Sequence, residues 1–295
     1  MSTTSRARGP FSKAFGGAMS LVLGGAKPGA LGGAFATVAL LATGVVASRP
    51  DAPEAPPPLT VDTGAPAPQS FQDINAPYDG LFHFARIYFE AGGGGGFGWG
   101  GRRGALWAHD YPRADYNFLS ILQETTYVRS HDRASNVIPL DDPDLFRYPI
   151  AYIVEVGFWN PTDEEIEALG AYLQKGGFLI VDDFQGYRAL QNLQFHLGRA
   201  VPGATVQVVA PSDEIFDSFF RINPDEVIPP YGGQPPLWLG VYEDNDPTKR
   251  VMVMINANND IAEYWEFSDQ GYYPIDLSNE AYKLGVNYVV YGLTH

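Results

Sequence analysis

The amino-acid sequence predicts an α/β fold with a doubly wound, mostly parallel sheet. Two uninterrupted apolar runs, at 150–154 and 178–181, are typical of strands that are covered on both faces. An amphipathic segment of helical period separates them and has the length of a crossover between parallel strands. Because such crossovers are right-handed, the strands near 83–89, 151–156 and 178–182 should be adjacent and parallel in one sheet.

The crossover segment carries helix signals at both ends. Thr162 and Glu165 have the spacing of a capping box, in which each side chain accepts a hydrogen bond from the other residue's backbone amide. The apolar side chains at 166, 169 and 173 fall on one helical face. Gly176 is expected to adopt the left-handed conformation that ends the helix. These signals predict a β-α-β unit over 150–182.

The remaining elements follow from the same patterns. Apolar alternation predicts a first strand over 81–90, and 115–124 has the apolar face of a helix. Further elements are predicted as a strand at 137–140, a helix at 186–198, a strand at 205–209, a short helix capped at 211–213 and ending at 219, and a closing helix at 279–291. Runs at 237–242 and 250–256 flank a turn-forming Asp-Asn-Asp-Pro sequence and predict a β-hairpin. This order is typical of a flavodoxin-like sheet with a late β-hairpin insertion.

The N-terminal 77 residues are predicted to lie outside this domain. A basic region up to Lys27 precedes an uncharged, largely apolar stretch over 28–48. This order is typical of a signal peptide or an N-terminal membrane anchor over 1–48, and the residues leave both open. The Pro/Ala-rich composition of 49–77 predicts a disordered linker. The domain over 78–295 should then lie outside the cytoplasm, either periplasmic or held at the membrane.

Charge and composition exclude several classes of function. The net charge is −15, and because the first 50 residues carry five basic and no acidic side chains, the remainder carries −20. Such an acidic body repels nucleic acid and anionic membrane surfaces, so no nucleic-acid partner is predicted, and membrane contact only through the N-terminal segment. The chain has no cysteine, which excludes a thiol nucleophile.

Four segments carry a resemblance to the bacterial family of domains of unknown function numbered 4159. They read LFRYPIAYI, GFWNPTDEEIEALGAYLQKGGFLIVDDF, NDIAEYWE and EAYKLGVNYVVYGLT, and the resemblance covers residues 81–294. It implies a fold similar to class I glutamine amidotransferases, but it brings no biochemical activity. The amidotransferase nucleophile is a cysteine on a strand-to-helix elbow, and this chain lacks it, so that reaction is not implied.

Acidic residues follow two of the predicted strands. Asp182 and Asp183 come directly after an apolar strand and so lie at the carboxyl edge of the sheet, where open α/β folds bind ligands. They are candidates to hold a hard cation or to supply a base, or else they cap the next helix. Asp260 and Glu263 have the spacing of one helical face and either complete an oxygen-rich pocket or form a solvated acidic loop.

The glycine-rich stretch over 92–104 lies in the first strand-to-helix loop. It lacks the adjoining helix start and the distant acid of a dinucleotide fingerprint, so we interpret it as a lid or insertion. Arg102 and Arg103 are candidates to contact an anionic ligand from such a lid. His109 and Asp110 are a weak base-and-orienter pair, because adjacent residues rarely face each other, and we expect no special role for His109.

These observations favour a non-catalytic binding or interaction domain in the cell envelope, with an amidotransferase-like fold and no cofactor. Its partner would be a protein or a small ligand bound at the carboxyl edge of the sheet. The alternative is a metal-dependent hydrolase or transferase that uses the sheet-edge carboxylates, and the high aromatic content leaves a carbohydrate-binding module as a third hypothesis. The alternatives differ in one geometric requirement: a metal site needs the carboxylates at 182, 183, 260 and 263 to converge within about 5 Å.

Overall fold

A computed structural model describes residues 74–90 and 105–295, and a seven-stranded sheet runs through them. The strands are β1 (Phe82–Tyr88), β2 (Ser130–Pro139), β3 (Ile150–Val154), β4 (Phe178–Asp182), β5 (Gln207–Val208), β6 (Leu237–Tyr242) and β7 (Val251–Ala257). The helices are α1 (Arg113–Thr125), α2 (Asp163–Gln174), α3 (Gly186–Ala200), α4 (Ile261–Glu266) and α5 (Ile275–Thr294).

The strand order is β2-β1-β3-β4-β7-β6-β5. The first five strands of this order are mutually parallel, and β6 and β5 add antiparallel pairs beyond β7. The parallel part has the flavodoxin-like order, in which the chain reverses its direction of travel between β1 and β3. The predicted fold class is therefore confirmed, including the hairpin of β6 and β7 and the parallel neighbours β1, β3 and β4.

The β3-α2-β4 unit forms as its local signals predict. Thr162 Oγ1 accepts a hydrogen bond from the Glu165 amide at 3.1 Å, and the Thr162 amide donates to Glu165 Oε2 at 2.8 Å. Gly176 has a φ of +104°, in the left-handed half of conformational space. Leu169 of α2 and Ile180 of β4 are 0% and 2% exposed, as expected for a sheet covered on both faces.

Helices cover the two faces of the sheet as separate groups. The helices α1, α4 and α5 contact one another, and their apolar side chains form one core cluster with one face of the strands. The helices α2 and α3 contact each other and form a second cluster with the other face. Trp265 of α4 illustrates the first cluster, since it is 1% exposed and stacks on Phe118 of α1 with ring centroids 4.5 Å apart.

Two predicted elements are shorter than expected, because side chains from elsewhere take their backbone hydrogen bonds. The helix predicted to end at 219 is a single 3-10 turn at Glu214–Phe216. Asn287 of α5 donates to the carbonyls of Ile215 and Phe220 and accepts from the Phe220 amide. The strand predicted over 205–209 is reduced to Gln207–Val208, and the amide of Thr205 donates to Asn245 instead.

The free edge of β2 is covered by the segment that precedes β1. The Asn75 side chain donates to the Val137 carbonyl at 2.8 Å and accepts from the Val137 amide at 2.7 Å. The Asn136 side chain makes the reciprocal pair with the backbone of Ala76, at 2.9 and 3.0 Å. Residues 75 and 76 are therefore attached to the sheet.

Some predictions concern residues outside the described part of the chain. These are the segment over 1–48, the linker up to residue 73, and the glycine-rich stretch with Arg102 and Arg103. Within residues 74–90 and 105–295, no helix has the length and apolar character needed to cross a membrane.

Candidate metal site at the carboxyl edge of the sheet

The loops at the carboxyl ends of the parallel strands share an uncommon backbone conformation. Asp110 before α1, Glu155 after β3, Asp183 after β4 and Asn258 after β7 all have φ between +48° and +62°. This region is unfavourable for residues with a side chain, although Asn and Asp tolerate it better than others. Strain of this kind persists where the surrounding structure enforces it, and it is concentrated at functional sites. In this protein the strained residues lie at the carboxyl edge of the sheet, next to the point between β1 and β3 where the chain reverses its direction of travel.

His109 and Asp183 contact each other across this edge. Nδ1 of His109 lies 2.5 Å from Oδ2 of Asp183 and 3.6 Å from Oδ1 of Asp110. The negative charges of Asp110 and then of Asp183 raise the pKa of His109 above its ordinary value. The His109 side chain is 47% exposed, whereas those of Asp110 and Asp183 are 1% and 11% exposed. The imidazole therefore forms the solvent-facing side of the group.

Asp260 completes a set of four potential metal ligands. His109, Asp110, Asp183 and Asp260 each offer one ligand atom, and these atoms lie within 4.8 Å of one another. Asp260 caps α4, since its Oδ1 accepts from the Glu263 amide at 2.9 Å. Asp110 and Asp260 are 6% and 1% exposed, yet no hydrogen-bond donor in the described residues reaches Oδ2 of either. Burial raises the pKa of both carboxyl groups well above the ordinary value.

A second acidic group adjoins the first on the α4 side. Asp110, Glu263 and Glu266 also bring one oxygen each within 4.8 Å of one another. Tyr273 donates to Oε1 of Glu263 at 2.9 Å. Burial is the main cause that raises the pKa of Glu263 and of Glu266. The site therefore concentrates carboxyl groups in a partly dehydrated space, where protons or cations are needed to balance the charge.

Glu155 lies beside Asp183 because β3 and β4 are in parallel register. Val154 pairs with Asp182, and the Glu155 amide donates to the Asp183 carbonyl at 3.0 Å. Burial, and next the charge of Asp183, raise the pKa of Glu155 to about 7. Its carboxylate also interacts with His109. Glu155 is thus a further acid/base group at the rim of the four-ligand set.

Asp182 lies beneath the site and has a different environment. It is fully buried and accepts from Tyr152 at 2.7 Å, Asn256 at 3.0 Å, and the amides of Ile261 and Ala262 at 3.0 and 3.3 Å. Burial raises its pKa to about 6. These bonds attach β4 to β3, β7 and the start of α4. Asp182 therefore holds the loop that presents Asp260 and is occupied by its own hydrogen bonds.

Arg86 of β1 fixes the loop that carries His109 and Asp110. It is 0% exposed and donates to both oxygens of Asp115 on α1, at 2.5 and 3.1 Å. It also donates to the carbonyls of Trp107 and His109, at 3.3 and 3.0 Å. A bidentate guanidinium–carboxylate pair has a defined geometry. It fixes the position of the Arg86 guanidinium, which in turn holds the carbonyls of the loop.

The opposite, amino-terminal edge of the sheet holds another cluster. The side chains of Asp79, His83 and His131 also offer ligand atoms within 4.8 Å of one another. The Asn136 amide nitrogen faces Nδ1 of His83 at 3.4 Å, and the amide orientation is fixed because its oxygen accepts from Ala76. Nε2 of His83 lies 3.3 Å from Oδ1 of Asp79, within hydrogen-bond distance. We interpret this cluster as a hydrogen-bonded structural group.

The structure brings together some of the predicted site residues. Asp183, Asp260 and Glu263 lie at the site, Asp182 lies beneath it, and Arg102 and Arg103 are outside the described residues. Sequence reasoning considered His109 and Asp110 only as a weak base-and-orienter pair, and it gave no role to Glu155 and Glu266. The reasoning that selected Asp183 could also have selected Glu155, because Glu155 likewise follows a buried strand. It could not have selected His109, because 74 residues separate His109 from Asp183, its partner.

Comparison with known proteins gives a family and no activity. The sequence model of a family described as "Domain of unknown function (DUF4159)" matches residues 95–293. No curated protein matches the chain.

Proposed function

The chain belongs to the DUF4159 family, and we propose that it binds a divalent cation at the carboxyl edge of its sheet. The buried, unpartnered Oδ2 of Asp260, next to His109, Asp110 and Asp183, is the observation that carries this proposal. A dehydrated carboxylate oxygen without a donor is costly, and a cation removes that cost. The cation would in turn hold an oxygen-bearing small ligand or protein group.

The ligand set favours a particular kind of cation. Three carboxylates are typical of Mg²⁺, Ca²⁺ or Mn²⁺, whereas the imidazole favours transition metals. Mn²⁺ satisfies both preferences and is the probe of choice. Because His109 is the exposed member, a ligand would reach the cation from the His109 side. The proton on Nδ1 of His109 must leave when the cation binds, as for any histidine ligand.

Mn²⁺ titration of the full-length chain, freed of metal, tests the proposal. We expect heat of binding by calorimetry and a rise in melting temperature with excess Mn²⁺, because a ligand that binds only the folded state stabilises it. The variants Asp183→Asn and Asp260→Asn should weaken binding at least 10-fold. Glu167→Gln is the matched control, since Glu167 is an exposed acid of α2 on another face. If the parent binds neither Mn²⁺, Mg²⁺, Ca²⁺ nor Zn²⁺, the proposal is wrong.

A second candidate function is hydrolysis or group transfer with the help of the cation. It is favoured by the position of Glu155, whose carboxylate lies beside Asp183 and His109 without belonging to the four-ligand set. A carboxylate in that position is placed to accept a proton from a cation-bound water. Glu155→Gln should then retain Mn²⁺ binding and lose turnover in a panel of p-nitrophenyl phosphates, esters and glycosides. A parent that is inactive on every member of the panel with Mn²⁺ bound leaves the non-catalytic binding function as the simpler one.

We also propose that the domain works outside the cytoplasm, attached through its N-terminal segment. The basic-then-apolar order of residues 1–48 supports this location. A reporter fused after Pro68 should be exported. Mass spectrometry of the native N-terminus distinguishes the two forms: a start near Ser48 indicates cleavage, and an intact Met1 in the membrane fraction indicates an anchor. A reporter that stays in the cytoplasm contradicts the location.

A further inference from the structure

We propose that the site holds two divalent cations, bridged by the carboxylate of Asp110. This inference rests on the proposed function and extends it from one cation to a pair. Asp110 is the shared member of two ligand groups, one with His109, Asp183 and Asp260 and the other with Glu263 and Glu266. Each group confines its ligand atoms to within 4.8 Å, as one ion requires.

The two oxygens of Asp110 have different surroundings. Oδ1 lies 3.6 Å from Nδ1 of His109, on the side of the first group. Oδ2 is buried and no donor in the described residues reaches it. The Glu266 carboxyl group interacts directly with Asp110, where a shared proton or a cation is needed to offset the repulsion of the two acids. A second cation beside Oδ2 would satisfy both acids at once.

The surrounding elements hold Asp110 against the second group. Arg86 fixes the loop by donating to the His109 carbonyl, and the Asp110 carbonyl accepts from the Ala114 amide at 2.9 Å. Asn117 of α1 donates to the carbonyl of Trp265 at 2.9 Å, which attaches α1 to α4 beside Glu266. Glu263 and Glu266 are three residues apart on α4 and so project from one face.

When its carboxyl groups are ionised, the charge of the site also favours two cations over one. The two groups contain five carboxylates, those of Asp110, Asp183, Asp260, Glu263 and Glu266. One divalent cation leaves three of these charges unbalanced in a dehydrated space, whereas two cations leave one. Paired cations about 3.5–4 Å apart are a recurrent catalytic arrangement that stabilises both the attacking and the leaving oxygen of a displacement.

The number of bound ions and their magnetic coupling test the inference on the full-length, metal-free chain. We expect two Mn²⁺ per chain by calorimetry with parallel metal analysis, and an electron paramagnetic resonance spectrum of an exchange-coupled pair. Glu266→Gln should reduce the count from two to one and give the six-line spectrum of an isolated Mn²⁺. Glu263→Gln is a second variant with the same expectation, in case the first fails to fold by circular dichroism.

Controls separate this inference from the proposed function. His131→Ala, at the amino-terminal edge, and Glu167→Gln should both keep two coupled ions. A parent that binds one Mn²⁺, lost in Asp183→Asn, keeps the proposed function and overturns the pair. Two ions that remain coupled in a folded Glu266→Gln also overturn the assignment of the second ion. A parent that binds none overturns both proposals.

Discussion

At the scale of single residues, Asp182 and Asp183 show how two adjacent, identical side chains acquire different roles. Successive strand residues point to opposite faces of a sheet. Asp182, the last residue of β4, points into a network of four donors, whereas Asp183 leaves the strand at φ +48° and meets His109. Only Asp182 uses its hydrogen bonds to hold the elements of the fold together.

Replacing each of these aspartates by asparagine should therefore have different effects. Asp182→Asn places an amide nitrogen against at least one donor in a buried network, and we expect a loss of about 1–3 kcal/mol in the free energy of unfolding. Asp183→Asn removes a negative charge from a crowded acidic site, and asparagine tolerates positive φ. The free energy of unfolding of this variant should therefore stay within about 1 kcal/mol of the parent. Urea unfolding of the two metal-free variants measures this difference. Equal losses would mean that Asp183 is also structural.

The sequence located the carboxyl edge but not the full set of residues at it. The Asp182–Asp183 pair is visible because it directly follows an apolar run. The other ligands come from distant loops, and their convergence depends on which strands are neighbours. Asp110, for example, meets Asp260 only because β1 and β7 flank β3 and β4 in the sheet order. Local patterns carry no information on such pairings.

At the scale of elements, prediction succeeded where local signals and tertiary contacts agree. The β3-α2-β4 unit has an apolar period, a capping box and a glycine stop, and the observed bounds match these signals. The helix predicted to end at 219 is a single turn because Asn287, 67 or more residues away, takes backbone hydrogen bonds of Ile215 and Phe220. A short segment nucleates a helix poorly, so three tertiary hydrogen bonds determine its conformation.

Asn287→Ala tests this account of the 3-10 turn. The substitution leaves the Ile215 carbonyl and both backbone groups of Phe220 without their partner in a buried setting. We expect the free energy of unfolding to fall by about 1–3 kcal/mol. Asn279→Ala, at an exposed position of the same helix, should change it by less than about 0.5 kcal/mol. Chemical denaturation of both variants gives the comparison, and equal midpoints would refute the role of Asn287.

At the scale of the whole molecule, acidic charge is concentrated where the chain turns at the carboxyl edge. Burial raises the pKa of the carboxyl groups of Asp110, Glu155, Asp260, Glu263 and Glu266. In the unfolded chain such groups ionise near pH 4. Above that pH the folded protein holds protons that the unfolded chain has released. The free energy of unfolding must then fall as pH rises.

We therefore expect the metal-free protein to lose stability between about pH 5 and pH 8. The raised pKa of His109 acts in the same direction, because above about pH 6.5 the folded state keeps a proton that the unfolded chain loses. The loss should exceed about 1.4 kcal/mol, the value of one pKa unit. Urea midpoints measured across this range provide the test, and excess Mn²⁺ should remove most of the loss at pH 8. A flat profile without metal would show that the folded and unfolded chains bind the same number of protons, which contradicts the prediction.

The attachment of Asn75 and Ala76 to β2 has a consequence for how the chain can be shortened. An uncovered edge strand is a template for pairing with another copy, and these two residues cap part of that edge. A chain trimmed to begin at residue 78, the predicted start of the domain, would lack this cover. We expect it to self-associate, as seen by light scattering, whereas one that begins before residue 74 stays monodisperse. Proteolysis of the N-terminal segment would thus yield either a monodisperse body or an aggregate, depending on the position of a single cut.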